Sequence, residues 1–501
     1  MIRLNNDALK ALAERGDVDV PAYDRKSTSV SIVHFGVGGF HRSHQAMYLD
    51  TLMGNDPGAL EWGICGVGLM ENDRHMQHVL DEQHGLYTLV VKHPDGQLDA
   101  RVIGSLREYL YAPDDPFAVV KKMAHPDTRI VSLTITEGGY NFDPATAQFD
   151  FDNPNVIHDL EGYPQRTTFG LICSALDIRR QAGLDPFTVM SCDNIHNNGD
   201  IARETFLAFA ERKSPALAQW MEHRVAFPNA MVDRITPATT DDDRQLVRDH
   251  FGIEDAWPVV CEPFKQWVVE DRFTQGRPAL EKVGVQYVDD VLPYELMKLR
   301  LLNCGHLAIG LLGYLAGYRY THEVCKDSLF VDFVLRYMEQ EASPTLAPVP
   351  GIDLDGYRHE LIERFSNPQI KDTLARLCSE SSEKLPKWLV PVIRDQLEQD
   401  GDILMCAIIV AGWARYAEGV DDQGEHYEIV DRQSDMVTAM AGLNATKPAA
   451  FLENIHWFGD LAENQQFRNA YLKVLDMLRQ QGARSTLEAL VKAPAEALLE
   501  E

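Results

Sequence analysis

The run "SVSIVHF", from Ser29, is apolar and rich in β-branched residues, and it stops abruptly at Gly36-Val37-Gly38. A buried strand that breaks into a G-x-G turn and resumes as the helically spaced "HQAMYLDTLM", from His44, predicts the first half of a dinucleotide-binding βαβ unit. Gly36 permits the tight turn. Gly38 lets the backbone come close to a pyrophosphate, which the free N–H groups of a helix N-terminus would face. The usual pattern asks for a third glycine at position 41, where this chain has His41, followed by Arg42; Gly39 and Phe40 complete the loop. Two roles are open for Arg42: a charge-assisted contact to phosphate, or a brace for the loop. By itself a G-x-G is weak evidence, because glycine turns after strands are common.

The following segments repeat the alternation. "EWGICGVGL" (from Glu61), "RIVSLTITEGGY" (from Arg129) and "FTVMSCDN" (from Phe187) read as buried parallel strands, with helical stretches such as "DRHMQHVLDEQ" between them. The expected fold class is α/β, with a Rossmann-type doubly wound sheet in the N-terminal part. "YTLVVKHPDGQLDARVIG" interrupts it as a hairpin turning at Pro94-Asp95-Gly96. In a NAD site an acidic residue at the end of the second strand binds the adenosine ribose hydroxyls, and Glu71 is the candidate, with Asn72 beside it. A carboxylate there repels the 2′-phosphate of NADP. Glu71 follows Gly36 by 35 positions, so the first helix and its connection must be long. The other reading of Glu71 is an acid stabilised by a helix N-terminus.

Past about Leu292 the texture becomes helical almost throughout. This predicts a dinucleotide-binding domain over 1–287 and a mostly α-helical domain over 288–501, with "ASPTLAPVPG" (from Ala342) as a surface loop within it. In "ELMKLRLLNCGH", at about 100° per residue, Lys298, His306 and Asn303 fall at about 0°, 80° and 140°, with Glu295 at about 60°. Four polar groups thus share a broad face of a leucine-rich helix. Buried Lys, Asn and His are costly without partners, so the face is either a hydrogen-bond network between domains or a catalytic cluster.

Composition narrows the function classes. A net charge of −29, spread along the 501 residues, disfavours nucleic acid and anionic lipid as partners. No stretch approaches the roughly 18 apolar residues of a membrane helix, and "MIRLNNDALKALAERGD" reads as a short polar helix rather than a signal peptide. Eight scattered cysteines without a C-x-x-C pair suggest reduced thiols in a cytoplasm and no structural zinc.

Six segments in order, "FGVGGFHRSHQAMYLD", "SLTITEGGY", "SCDNIHNNG", "MVDRITPAT", "EPFKQWVVEDRF" and "KLRLLNCGHLAIGLLGYLAGY", resemble the mannitol dehydrogenase family, the polyol-specific long-chain dehydrogenases and hexuronate reductases. The resemblance runs from about Ser29 to beyond Arg376. It implies interconversion of D-mannitol and D-fructose with NAD, without metal, by a chain that works as a monomer with a small polyol or ketose substrate. It assigns the lysine of K-x-R-x-x-N-x-x-H, Lys298, as general base. Asn303 of that motif and Asn194, the first asparagine of D-N-x-x-x-N-G, become the oxyanion site, and His306 orients substrate hydroxyls. Asp233 and Arg376 resemble further substrate-binding positions, and Glu295 a gate for proton exit. The family's loop reads G-x-G-x-F-x-R, so His41 and Arg42 follow its pattern.

An ordinary lysine, pKa about 10.4, is already protonated at neutral pH. Burial or a nearby cation, His306 being one candidate if charged, lowers that value. Other reactions of the family stay open: fructuronate or tagaturonate reduction, which needs a cationic site for a carboxylate, and arabinitol or sorbitol oxidation. A non-catalytic NAD-binding protein is a remoter reading, and a zinc alcohol dehydrogenase is disfavoured because no Cys/His cluster has metal-ligand spacing.

Overall fold

The apolar runs of the N-terminal half become strands Val30–Phe35, Gly63–Gly68, Leu106–Tyr111, Ile130–Leu133 and Thr188–Ser191, all parallel in one five-stranded sheet. They come from a computed structural model that describes residues 1–142 and 148–491. The chain divides into two units, Met1–Leu292 and a second beginning at Pro293.

In space the strands run third, second, first, fourth, fifth, counted by their order in the chain. This is a doubly wound order that reverses beside Val30–Phe35, and its ligand crevice lies at the carboxyl ends of the strands. Every residue of Val30–Phe35 and Gly63–Gly68 is buried, as expected where helices cover both faces. Alternate side chains serve opposite cores. Val33 and Phe35 join Phe169, Ile172 and Phe206, while Ile32 joins Met47, Leu52, Trp62 and Trp267.

The hairpin forms as the Pro-Asp-Gly turn suggests, Tyr87–Lys92 antiparallel to Leu98–Ile103, and Val259–Cys261 adds to it in parallel. A third small sheet sets Gln266–Glu270 between Ala230–Asp233 and Gln286–Val288.

In the second unit, among the described residues, β-pairing is limited to isolated bridges such as Tyr320 with Thr373. Its core is built on two nearly fully buried helices, Cys304–Leu315 and Leu404–Tyr416. Gly305 is one reason the first can sit so deep: a Cβ there would lie 2.5 Å from Met338 Cε. No helix among the described residues is long and apolar enough to cross a membrane.

Candidate active site

In the first unit, Gly36 has φ +90°, and a Cβ on it would stand 2.1 Å from the Thr134 carbonyl oxygen. Only glycine fits such a turn. At Gly38, in contrast, a Cβ would meet nothing within 4 Å. The loop backbone Gly36-Val37-Gly38 therefore rests on the neighbouring strand at one glycine and leaves room at the next. Gly38 then caps a single helical turn, Gly39–Ser43, whose first N–H groups have no intrahelical partners. The chain breaks at His44 (φ −119°, ψ −91°) and resumes as helix Gln45–Asn55. That interruption, with a further short turn at Pro57–Ala59, explains the long path to Glu71.

His41 lies flat on His34 of the first strand. The His34 ring is held by Ser132 Oγ (2.8 Å) and Thr134 Oγ1 (3.0 Å). Burial pushes His34 down to about 3 and His41 well below the ordinary imidazole value, so both rings are neutral. Phe40 stacks on His44 one turn away. Arg42 is 1% exposed; its Nη1 donates to the Trp257 carbonyl at 2.5 Å, and its guanidinium lies over the rings of Tyr87 and Trp257. Tyr87 returns a bond to the Arg42 carbonyl (2.6 Å). Of the two roles open to Arg42, these contacts fit the brace. Arg234, unnoticed in the sequence, ties the far end of the helical turn by donating to Ser43 O and Glu262 O.

Glu71 and Asn72 are exposed on the turn that follows the second strand, Gly63–Gly68. The Asp73 carboxylate accepts the N–H groups of Leu69 and Met70, both at 2.8 Å, and so fixes that turn. Asn194 is exposed directly after the fifth strand. Its predecessor Asp193 is buried and accepts from Ile135 N, Thr136 N and Tyr140 Oη, with burial raising its carboxyl pKa. The Asn198 amide donates to Asp193 O and Ala230 O and accepts from Ala230 N, which closes the loop that carries Asn194. The glycine loop, Glu71 and Asn194 all follow carboxyl ends of parallel strands and so share one edge of the sheet. Asp233, 5% exposed, ends a strand of the third sheet, paired with Gln266.

Where the second unit begins, the helix Leu292–Met297 carries Glu295 and passes into a π-helical turn, Lys298–Asn303, before the α-helix Cys304–Leu315. This corrects the angular expectation. In an α-helix, residues five apart point about 140° away from each other. A π turn closes on the fifth residue, so Lys298 and Asn303 stand one above the other. Glu295 precedes Lys298 by three and His306 follows Asn303 by three, the spacing of neighbours on a helix face. Lys298, Asn303 and Glu295 are 6%, 5% and 7% exposed, so the aligned polar row faces the protein interior.

His306 packs on the Phe365 ring, centroids 4.1 Å apart. Burial first, then the charges of Arg376, Arg364, Lys384 and Lys298, hold its pKa well below the ordinary value. A charged His306 is therefore not a source of positive charge here; the flanking cations Arg376, Arg364 and Lys384 are. Arg376 Nε and Nη2 grip the buried Asp372 carboxylate at 2.6 and 2.5 Å. Lys384, pushed down to about 8 by burial and by Arg376, donates to the Leu377 carbonyl. The sequence carries no local signal for three of these residues: Arg364 lies in what reads as an ordinary amphipathic helix, Asp372 precedes the short helix Leu374–Cys378, and Lys384 lies in the helix Ser381–Trp388. Among the described residues, no three His, Cys, Asp or Glu side chains gather in a way that could hold a metal ion.

The family models described as the mannitol dehydrogenase Rossmann domain and the mannitol dehydrogenase C-terminal domain match residues 30–282 and 290–478. The mannitol 2-dehydrogenase of Aspergillus oryzae is 45% identical over 496 residues, covering 97% of this chain and 98% of its own. That of Phaeosphaeria nodorum is 44% identical over 491 residues, 97% of this chain and 85% of the relative. Among solved structures, the Pseudomonas fluorescens mannitol 2-dehydrogenase ternary complex with NAD and D-mannitol superposes with a TM-score of 0.89 at 46% identity, covering 98% of this chain and all of that one. A D-sorbitol dehydrogenase in substrate-free form gives 0.89 at 35% identity, covering 97% of this chain and all of that one.

Proposed function

The chain belongs to the mannitol dehydrogenase family, and from that premise we propose that it is an NAD-dependent secondary alcohol dehydrogenase that converts D-mannitol to D-fructose. The observation that carries the proposal is the near full-length match, at 46% identity, to an enzyme solved with NAD and D-mannitol. A D-sorbitol dehydrogenase of equal TM-score supports a second reading, oxidation of another hexitol.

The first unit fits a dinucleotide. Its sheet reverses order beside the glycine loop, the space next to Gly38 is open, and the following helical turn offers unpaired N–H groups toward a pyrophosphate. Gly36, Val37, Gly38, Gly39, Phe40 and His41 form that cradle, with Arg42 bracing it from below. Glu71 and Asn72 take the adenosine ribose. Bound NAD supplies the acceptor for the hydride that leaves the carbinol carbon.

The rest of the chemistry belongs to side chains. Lys298 Nζ accepts the hydroxyl proton as the C–H bond gives up its hydride, so that D-mannitol and NAD become D-fructose, NADH and one proton. The amides of Asn303 and Asn194 donate to the oxygen as negative charge grows there and remain neutral themselves. His306, neutral, can both donate to and accept from polyol hydroxyls, and Asp233 and Arg376 take further hydroxyls. Glu295, one turn before Lys298, passes the proton on. The working unit is the monomer.

A panel of polyols and hexuronates, each offered with NAD and with NADP, tests the proposal. D-mannitol with NAD giving the highest kcat/KM is the expected result. A preference for D-sorbitol, D-arabinitol or a hexuronate moves the assignment within the family, and no NADH formation from any of them removes it.

A further inference from the structure

A π turn is held against the ordinary α-helical alternative only if its displaced backbone groups find other partners. Here the Cys304 N–H goes to the carbonyls of Leu299 and Leu301. The carbonyl between them, Arg300, is the one an α-helix would have bonded to Cys304. It accepts instead the hydroxyl of Tyr337, at 2.9 Å and away from solvent.

Tyr337 is itself fully buried and firmly placed. It begins a second π-helical turn, Tyr337–Ala342. In that turn the Glu341 carboxylate accepts the N–H groups of Met405 (2.5 Å) and Cys406 (2.7 Å), at the start of the core helix Leu404–Tyr416. The Arg300 side chain is held as well, by Asp395 Oδ2 at 2.5 Å and the Thr345 carbonyl at 3.0 Å. The turn that aligns Lys298 with Asn303 is thus gripped at one residue, through both its carbonyl and its guanidinium.

We propose that Tyr337 is a positioning residue for the proton transfer: its hydroxyl replaces the missing α-helical bond at Arg300, and with Asp395 it keeps the wide turn on which Lys298 and Asn303 face the same hydroxyl. The inference rests on the reading of Lys298 as the base. Tyr337→Phe removes one oxygen and leaves the ring packing, so the turn loses its substitute donor and relaxes toward α-helical spacing. A displacement of about 1 Å at a reacting group costs about 10²-fold in rate.

The test is a stopped-flow single turnover with saturating D-mannitol and the enzyme in slight excess over NAD. The rate constant of NADH formation reports the chemistry, and the amplitude reports the folded, active fraction. For Tyr337→Phe the rate constant falls between about tenfold and 10²-fold while the amplitude is kept. Asp395→Asn, at a partly exposed residue paired with the Arg300 guanidinium, gives a smaller fall in the same direction. Rate constants within about twofold of the parent in both variants overturn the inference, and so does a loss of amplitude at an unchanged rate. Lys298→Ala separates the two levels. An inactive Lys298→Ala beside a silent Tyr337→Phe sinks this inference alone, whereas an active Lys298→Ala sinks the base assignment and this inference with it.

Discussion

His41 stacks on His34 with ring centroids 3.5 Å apart and planes 13° from parallel. The ring pair stands where the usual fingerprint packs a third glycine against the strand, and it makes the glycine loop sensitive to acid. The unfolded chain binds protons to these imidazoles near pH 6.5, while the folded chain resists them, His34 down to about 3. Stability contributed this way is complete above the unfolded value and is lost as pH falls through that window. At pH 5 His34 alone costs about 2 kcal/mol. Denaturant midpoints measured from pH 7.5 to 5 should decline, and the decline should be shallower in His34→Gln. Equal slopes for parent and variant would remove the ring pair as the cause.

The two glycines of the loop should respond oppositely. Gly36→Ala forces a side chain onto the Thr134 carbonyl at positive φ, a strain of about 1–3 kcal/mol or more, and should lower Tm. Gly38→Ala has room and an ordinary extended φ of −92°, so Tm should hold. The added methyl instead occupies the space proposed for the pyrophosphate, and the NADH Kd should rise about tenfold or more, the equivalent of one charge-assisted hydrogen bond. A Gly38→Ala protein that binds NADH normally would place the pyrophosphate elsewhere.

Lys298→Ala should abolish turnover at neutral pH while NADH fluorescence titration still reports binding, since general-base catalysis contributes about 10²–10⁴-fold. Asn303→Ala should lower kcat by about 10²–10³-fold through loss of one oxyanion donor, with little change in NADH affinity. Near-normal turnover in either variant withdraws the corresponding role.

The fold was legible where its signal is long. Six-residue buried strands such as Val30–Phe35 and Gly63–Gly68 announce themselves as continuous apolar runs, and helices like Leu404–Tyr416 as apolar stretches too long for strands. Val259–Cys261 and Gln286–Val288, three residues each, are too short to show a period. In the candidate site, motif spacing singled out Lys298, Asn303 and His306, yet a uniform helical wheel spread them over about 140°. Their alignment depends on a π turn, and the residue that secures it, Tyr337, lies 37 positions past the carbonyl it bonds. Such pairings, like Arg376 with Asp372 or Arg42 with the Trp257 carbonyl, are tertiary and leave no local pattern.

Glu71 offers the last test, on cofactor choice. It stands exposed beside the carboxyl end of the second strand, on a turn that Asp73 fixes through Leu69 and Met70. A carboxylate about 4 Å from a 2′-phosphate repels it by about 1 kcal/mol per unit charge in water and about 4 kcal/mol at a protein surface. Those limits correspond to about fivefold and several hundredfold in kcat/KM. Glu71→Gln keeps the side-chain length and an acceptor for the ribose but deletes the charge, so kcat/KM with NADP should rise at least about fivefold relative to NAD. Asn72, uncharged, adds no second barrier. Because the carboxylate is solvent-facing, raising the salt concentration should weaken the parent's discrimination and leave the variant's nearly unchanged. An NADP-to-NAD ratio that the substitution leaves unmoved at low salt would assign the ribose to another residue.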